Sequence, residues 1–185
     1  MFRSFVVAVI AGCLAPSGTA RGSATSPPSA WFVDSLIKVF PGDVGGTHSL
    51  RTPEFRGARN QHVAVQLAIR SSTRLPDLRV EVKGLEGRDG RRISNVEVHH
   101  VAYVVVGSHT PDCPPEELVG VAPGWYPDPL EDFPFALEAR RTTPVWVTIH
   151  IPPDAVAGNY EGLILVRSGG RVVARKPERT RIKPS

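Results

Sequence analysis

The sequence has 185 residues, of which 41% are hydrophobic, 17 are glycine and 18 are proline. That is enough chain for one domain with its own core, and too little for a barrel enzyme plus an accessory module; the wealth of Gly and Pro favours short strands and turns over long helices. The formal net charge of +4 is a property of the C-terminus, where Arg167 to Lys183 holds seven bases against the single acid Glu178, and with no interleaved aromatics or nucleic-acid fold signature this reads as a solvated tail and excludes nucleic acid as an expected partner.

Met1 to Ala24 reads as an export signal. Arg3 supplies the positive start, Phe5 to Ala11 an apolar run, and Gly18-Thr19-Ala20 or Gly22-Ser23-Ala24 the small residues that suit a signal peptidase. The run is far below the roughly 18 to 20 residues that cross a bilayer, so no membrane span is expected. Ile10-Ala11-Gly12-Cys13 also resembles a bacterial lipobox. The chain is therefore expected to be secreted or periplasmic, or held at the cell surface by a lipid on Cys13. Residues 25–30 form a flexible leader, 31–174 the folded body, and 175–185 a basic, disordered tail. Cys113 is then the only thiol of the body, so stability has to come from the core.

Trp31 to Phe40 is apolar and β-prone, and Pro41-Gly42-Asp43 ends it. Val44 to Arg56 is a loop. His62 to Arg70 alternates with period two: Val63, Val65, Leu67 and Ile69 share one face, and Ala64, Gln66, Ala68 and Arg70 the other. Leu78, Val80 and Val82 repeat the pattern, followed by a turn-rich link, Gly84 to Gly90. Ile93 to Val106 is long, with a bend expected near His99-His100. Its later half is apolar on both sides, which suggests a strand running from an exposed edge into a covered centre. Ser108 to Thr143 holds seven prolines and no sustained period; a loop this long is usually functional or an interface. A short helical turn is possible near Glu116-Glu117-Leu118. Pro144 to Ile151 alternates again, with Val145, Val147, Ile149 and Ile151 inward and Trp146, Thr148 and His150 opposite. Tyr160 to Arg167, a Ser168-Gly169-Gly170 turn and Arg171 to Ala174 form a hairpin. The expected fold is all-β: a single-domain, two-sheet antiparallel β-sandwich, immunoglobulin-like or jelly-roll-like.

Four segments carry a family resemblance. They are Asn60 to Leu67, Gly124-Trp125-Tyr126-Pro127-Asp128-Pro129-Leu130, Pro144-Val145-Trp146-Val147, and Pro153 to Gly162 with its Ala157-Gly158-Asn159-Tyr160-Glu161-Gly162 turn. Together they are similar to the N-terminal β-sandwich of glycoside hydrolase family 123 and its uncharacterised relatives, over roughly Trp31 to Val173. The resemblance implies a non-catalytic accessory domain beside a catalytic barrel that acts on N-acetylgalactosamine-type glycans. The family's catalytic pair, an adjacent Asp and Glu, lies in the barrel, and no residue here matches it. The sequence departs from the family at Asn60-Gln61, where relatives commonly show an acid, and after Arg175.

No catalytic residue is expected. Asp128, Glu131 and Asp132 cluster in the long loop, but glycoside hydrolysis needs two carboxyls facing each other across a sugar. His99, His100, His109 and Cys113 lie close in sequence, yet adjacent residues of a strand point to opposite faces, and zinc wants ligands at turn-defined spacing; no metal and no cofactor are expected. There is no nucleophile elbow and no phosphate loop. Sugar sites on sandwiches stack sugar faces on aromatic rings and fix hydroxyls with polar groups. Trp125, Tyr126 and Asp128, with Trp146 on the outward side of its strand, are the candidates. Three roles stay open for them: docking a barrel, contacting a glycan as a stand-alone carbohydrate-binding module, or ordinary packing.

Overall fold

The computed structural model describes residues 26–46, 48–50 and 54–182. The expected signal with Cys13, the first residue of the expected leader and the last three residues lie outside them, and the end of that leader, Ser29 and Ala30, is the start of β1. Among the described residues there are eleven strands: β1 (Ser29–Asp34), β2 (Glu54–Gly57), β3 (His62–Arg70), β4 (Leu75–Gly87), β5 (Arg92–Ile93), β6 (Val96–Val106), β7 (Gly124–Glu131), β8 (Phe135–Leu137), β9 (Thr142–His150), β10 (Gly158–Ser168) and β11 (Arg171–Ile182). One sheet has the order β1-β3-β9-β6-β7; the other runs β2-β11-β10-β4-β5, with β8 also on β4. The two-sheet, all-β expectation holds, with one departure: β2 pairs with β11 in parallel, so the second sheet is mixed.

Period-two alternation builds the core between the sheets. Val65, Leu67 and Ile69 of β3, Val145, Val147 and Ile149 of β9, Leu78 and Val80 of β4, and Ile164 and Val166 of β10 form one buried cluster. Burying each such side chain fully contributes about 1.5–3 kcal/mol. The hairpin between β10 and β11 turns through Gly169 and Gly170, both at positive φ, the backbone that a two-residue hairpin loop requires. At the other end of β10, Tyr160 is buried and its hydroxyl donates to the Val156 carbonyl at 3.0 Å. This ties the strand to the turn before it, a tyrosine corner. Gly162 is needed because a Cβ there would lie 3.1 Å from both the Gly84 carbonyl oxygen and Leu85 Cδ2.

Several elements differ from expectation: β2 falls within the expected loop Val44 to Arg56, and β4 runs on to Gly87 through the first part of the expected link. β1 stops at Asp34, whose carboxylate accepts from the Leu36 amide at 2.8 Å and starts a turn. The proline-rich segment contains β7 and β8, besides a 3-10 turn at Pro115–Glu117 near the expected helical turn. β7 lies at a sheet edge, where Pro127 and Pro129 cost no ladder bonds on their open side. The irregularity in β6 falls between Val101 and Tyr103, where its pairing with β7 shifts register. Beyond His100, β6 pairs with β7 alone, so Val104 and Val105 are exposed and not in a covered centre.

The last departure is at the C-terminus. β11 continues past Ala174 to Ile182, where a disordered basic tail was expected. It is held on one side by β10 and on the other by β2. Its side chains alternate: Arg179 and Arg181 face out, while Glu178, Thr180 and Ile182 are buried. Among the described residues neither carboxylate oxygen of Glu178 has a hydrogen-bond partner. Burial pushes that carboxyl up from its ordinary 4.5 to about 7.

Candidate functional site

The outer face of the five-stranded sheet departs from a plain solvated surface. A strap, residues 35–43, crosses it after β1. Its carbonyls are caught in turn by groups rising from the sheet. Gln66 Nε2 donates to the Asp34 and Ile37 carbonyls at 3.0 and 2.7 Å. The Tyr103 hydroxyl sits 3.1 Å from the Val39 carbonyl and 2.8 Å from that of Thr142. The Thr142 amide donates to the Pro41 carbonyl, and the Thr142 hydroxyl to that of Asp43. Gln66 and Thr142 are buried, so these are the bonds that satisfy them. Burial, with Asp43 nearby, pushes the Tyr103 phenol up, and it stays protonated as a donor.

The strap alternates as a strand would. Val39 is buried against Val33 and Ala68, with Ile37 packed beside them. Leu36 and Lys38 point the other way, and Leu36 is 90% exposed. Beside the strap lies a groove of about 410 Å³. Its floor is Gln66, Val101 and half-buried Trp146; its rim is Leu36, Lys38, Asp128 and Leu130. Leu130 is 50% exposed. The groove is thus an apolar channel with one acid and one base at its lip.

The sequence candidates divide among three places. Asp128 and Trp146 meet in the groove. Trp125 lies elsewhere on β7, 49% exposed, with the Arg141 guanidinium 5.4 Å from its ring centre and 5.9 Å from that of Tyr103. Tyr126 packs edge-on against Phe40 at 5.4 Å, and its buried hydroxyl has no partner among the described residues. Leu36, Lys38 and Leu130 were not singled out from the sequence. The alternation of the strap reads in the sequence as part of the first strand, and nothing in the sequence says that Leu36 is exposed.

The sequence matches the glycoside hydrolase 123 N-terminal domain over residues 46–168. The chain belongs to that family. A family 123 glycoside hydrolase from Clostridium perfringens, solved to give the details of glycolipid glycan hydrolysis, shares the fold: TM-score 0.66, 15% identity, covering 85% of this chain. This chain spans only 27% of that one. A second structure, self-complemented MyfA, the major subunit of Myf fimbriae from Yersinia enterocolitica, aligns over 84% of this chain and 99% of its own at 10% identity. Its TM-score is 0.31, too low for any argument. No curated protein matches the sequence.

The three candidate acids of this family 123 N-terminal domain have different surroundings. Glu131 sits 3.3 Å from His100 Nε2 and Asp132 3.3 Å from His99 Nδ1, on opposite sides of β6, while Asp128 stands at the groove rim. His100 also stacks on Phe135 at 4.3 Å. His109 Nε2 accepts from the Ala122 amide at 3.1 Å, a structural bond within the loop. Among the described residues no cluster of three or more His, Cys, Asp or Glu is placed to hold a metal ion. No helix among them is long and apolar enough to cross a membrane.

Proposed function

We propose that the chain is an exported, non-catalytic accessory domain of a family 123 glycoside hydrolase, and that the groove beside the strap docks the catalytic barrel. The observation that carries the reading is the exposed apolar rim. A leucine 90% in water above a half-buried tryptophan is unfavourable on an isolated domain and favourable once covered. Support comes from the family match and from the small share of the Clostridium perfringens enzyme that the chain spans. The barrel would act on N-acetylgalactosamine-type glycans, as the family resemblance implies. Export rests on Arg3, the apolar run Phe5 to Ala11 and the small residues after it, with lipid on Cys13 as the second route.

The test is association with a separately expressed family 123 barrel. Leu36→Glu puts a charge into the rim and is expected to weaken association at least tenfold while leaving the melting temperature in place. Equal binding by the variant removes the groove from the interface. N-terminal sequencing of the mature chain after secretion checks the signal, and labelling with a radioactive fatty acid checks Cys13.

A second reading is favoured by one observation, the exposed Trp125 ring beside Arg141. There the domain is a stand-alone carbohydrate-binding module, with the sugar face on Trp125. Glycan-array signal that Trp125→Ala abolishes would select this reading over docking.

A further inference from the structure

We infer that the open lane beside β4 binds a short extended segment of a partner protein as an added strand, with an aliphatic side chain in the slot between the sheets. β4 is the last long strand of its sheet. The lane beyond it is begun at both ends and open in the middle. At one end β5 pairs Ile93 with Leu85; at the other β8 pairs Phe135 with Leu78, and both run antiparallel to β4. Continuing those registers places Ser94 opposite Gly84 and Pro134 opposite Arg79, which leaves about four positions, opposite Val80 to Lys83. At an antiparallel edge alternate residues turn their N–H and C=O groups outward, and among the described residues no strand receives those of Val80 to Lys83 on this side. The facing edge of the other sheet is open too. β6 pairs with β7 only from His100 onward, so Val96 to His99 have β9 alone beside them.

Between the two open edges lies a slot of about 270 Å³. Val82, Val96 and Val98 line it; they belong to the inward rows of β4 and β6 and pack on the main core, yet are only half-buried. An aliphatic side chain entering from the lane would cover them and extend the core. The length of the lane decides what fits. β4 of a second copy is 13 residues long and would collide with β5 and β8. A stretch of loop or tail that is extended only while it crosses the window does not. Charge sets its sequence. Glu81 and Lys83 stand on the outward row, on either side of Val82, and attract each other at 3.4 Å while still partly in water. A segment antiparallel to β4 meets Lys83, Val82, Glu81 and Val80 in its own chain order. Opposite charges directly across a strand pair stabilise it, and like charges destabilise it. The matching order is acid, aliphatic, base, aliphatic. Main-chain bonds then supply affinity, and the alternate side chains supply specificity. The lane belongs to the six-stranded sheet and the groove to the other, so neither needs the other.

The experiment is fluorescence anisotropy with the full chain and a fluorescein-labelled peptide, Gly-Ser-Glu-Val-Lys-Val-Ser-Gly, beside a charge-reversed peptide, Gly-Ser-Lys-Val-Glu-Val-Ser-Gly. Wild type is expected to bind the first with micromolar affinity and the second at least tenfold more weakly. The surface double variant Glu81→Lys with Lys83→Glu should reverse that preference. Val98→Phe fills the slot and should weaken both peptides at least tenfold, with circular dichroism to establish that it is folded. Amide hydrogen exchange followed by NMR adds a readout of the pairing itself: saturating peptide should protect amides between Val80 and Lys83 that exchange quickly in the free chain. The inference is overturned by any of three results: no saturable binding of the first peptide, a preference that the charge swap leaves unchanged, or no gain of protection along β4. It is also overturned if the free chain self-associates with the same amides protected, since a second copy would then hold the lane.

Discussion

Glu178→Gln is the most informative substitution in the core. Glu178 is 1% exposed, opposite Gly162 in the β10–β11 hairpin, with no partner for its carboxylate among the described residues. Burial raises its pKa from 4.5 to about 7. The folded state therefore holds the proton more tightly than the unfolded state. The stabilisation is fully present below pH 4.5, shrinks as pH rises, and is gone above about 7. Each unit of pKa is worth about 1.4 kcal/mol, so ionising Glu178 in place costs about 3 kcal/mol, an order-of-magnitude figure. Most of that cost falls between pH 5 and pH 8. Glutamine keeps the shape and cannot ionise. In urea denaturation the wild-type midpoint should drop relative to the variant by roughly 1 M between those two pH values. Parallel movement of the two midpoints with pH would refute the reasoning, because it would mean that Glu178 is already solvated or paired when folded.

Tyr160→Phe removes the hydroxyl that donates to Val156, and should cost about 1 kcal/mol of unfolding free energy in the same assay. Gly162→Ala forces a methyl to within 3.1 Å of the Gly84 carbonyl and Leu85, and should cost about 1–3 kcal/mol. Trp125→Ala removes a half-exposed ring and its contact with Arg141; the loss of stability should stay near 1 kcal/mol or below, which leaves the variant usable in glycan binding.

Strands with apolar alternation were legible in the sequence. β3 and β9 were read face by face, and Val65, Leu67, Val145 and Val147 are buried as their parity required. Two kinds of element were not. β7 carries Pro127 and Pro129, which are signals against a central strand and say nothing against an edge strand. The far end of β11 alternates in charge and not in hydrophobicity: its buried row includes Glu178 and Thr180, residue types that normally face water. β2 was invisible for a third reason, since its partner lies more than a hundred positions later in the chain. The site was legible in part. Asp128 and Trp146 were named and do meet, but the groove they share exists only because Gln66 and Tyr103 pin a strap that sequence reading had extended into β1.

The parallel contact between β2 and β11 has a consequence for synthesis. Glu54 to Gly57 leave the ribosome early, and their hydrogen-bonding partners, Arg179 to Ile182, follow more than a hundred positions later. Until then β2 has no partner in its sheet, and the Tyr160–Glu161 end of β10 has only β4 beside it. Nascent chains of this domain should therefore stay protease-sensitive until the end of β11 has emerged, and depend on chaperones to shield the open edge.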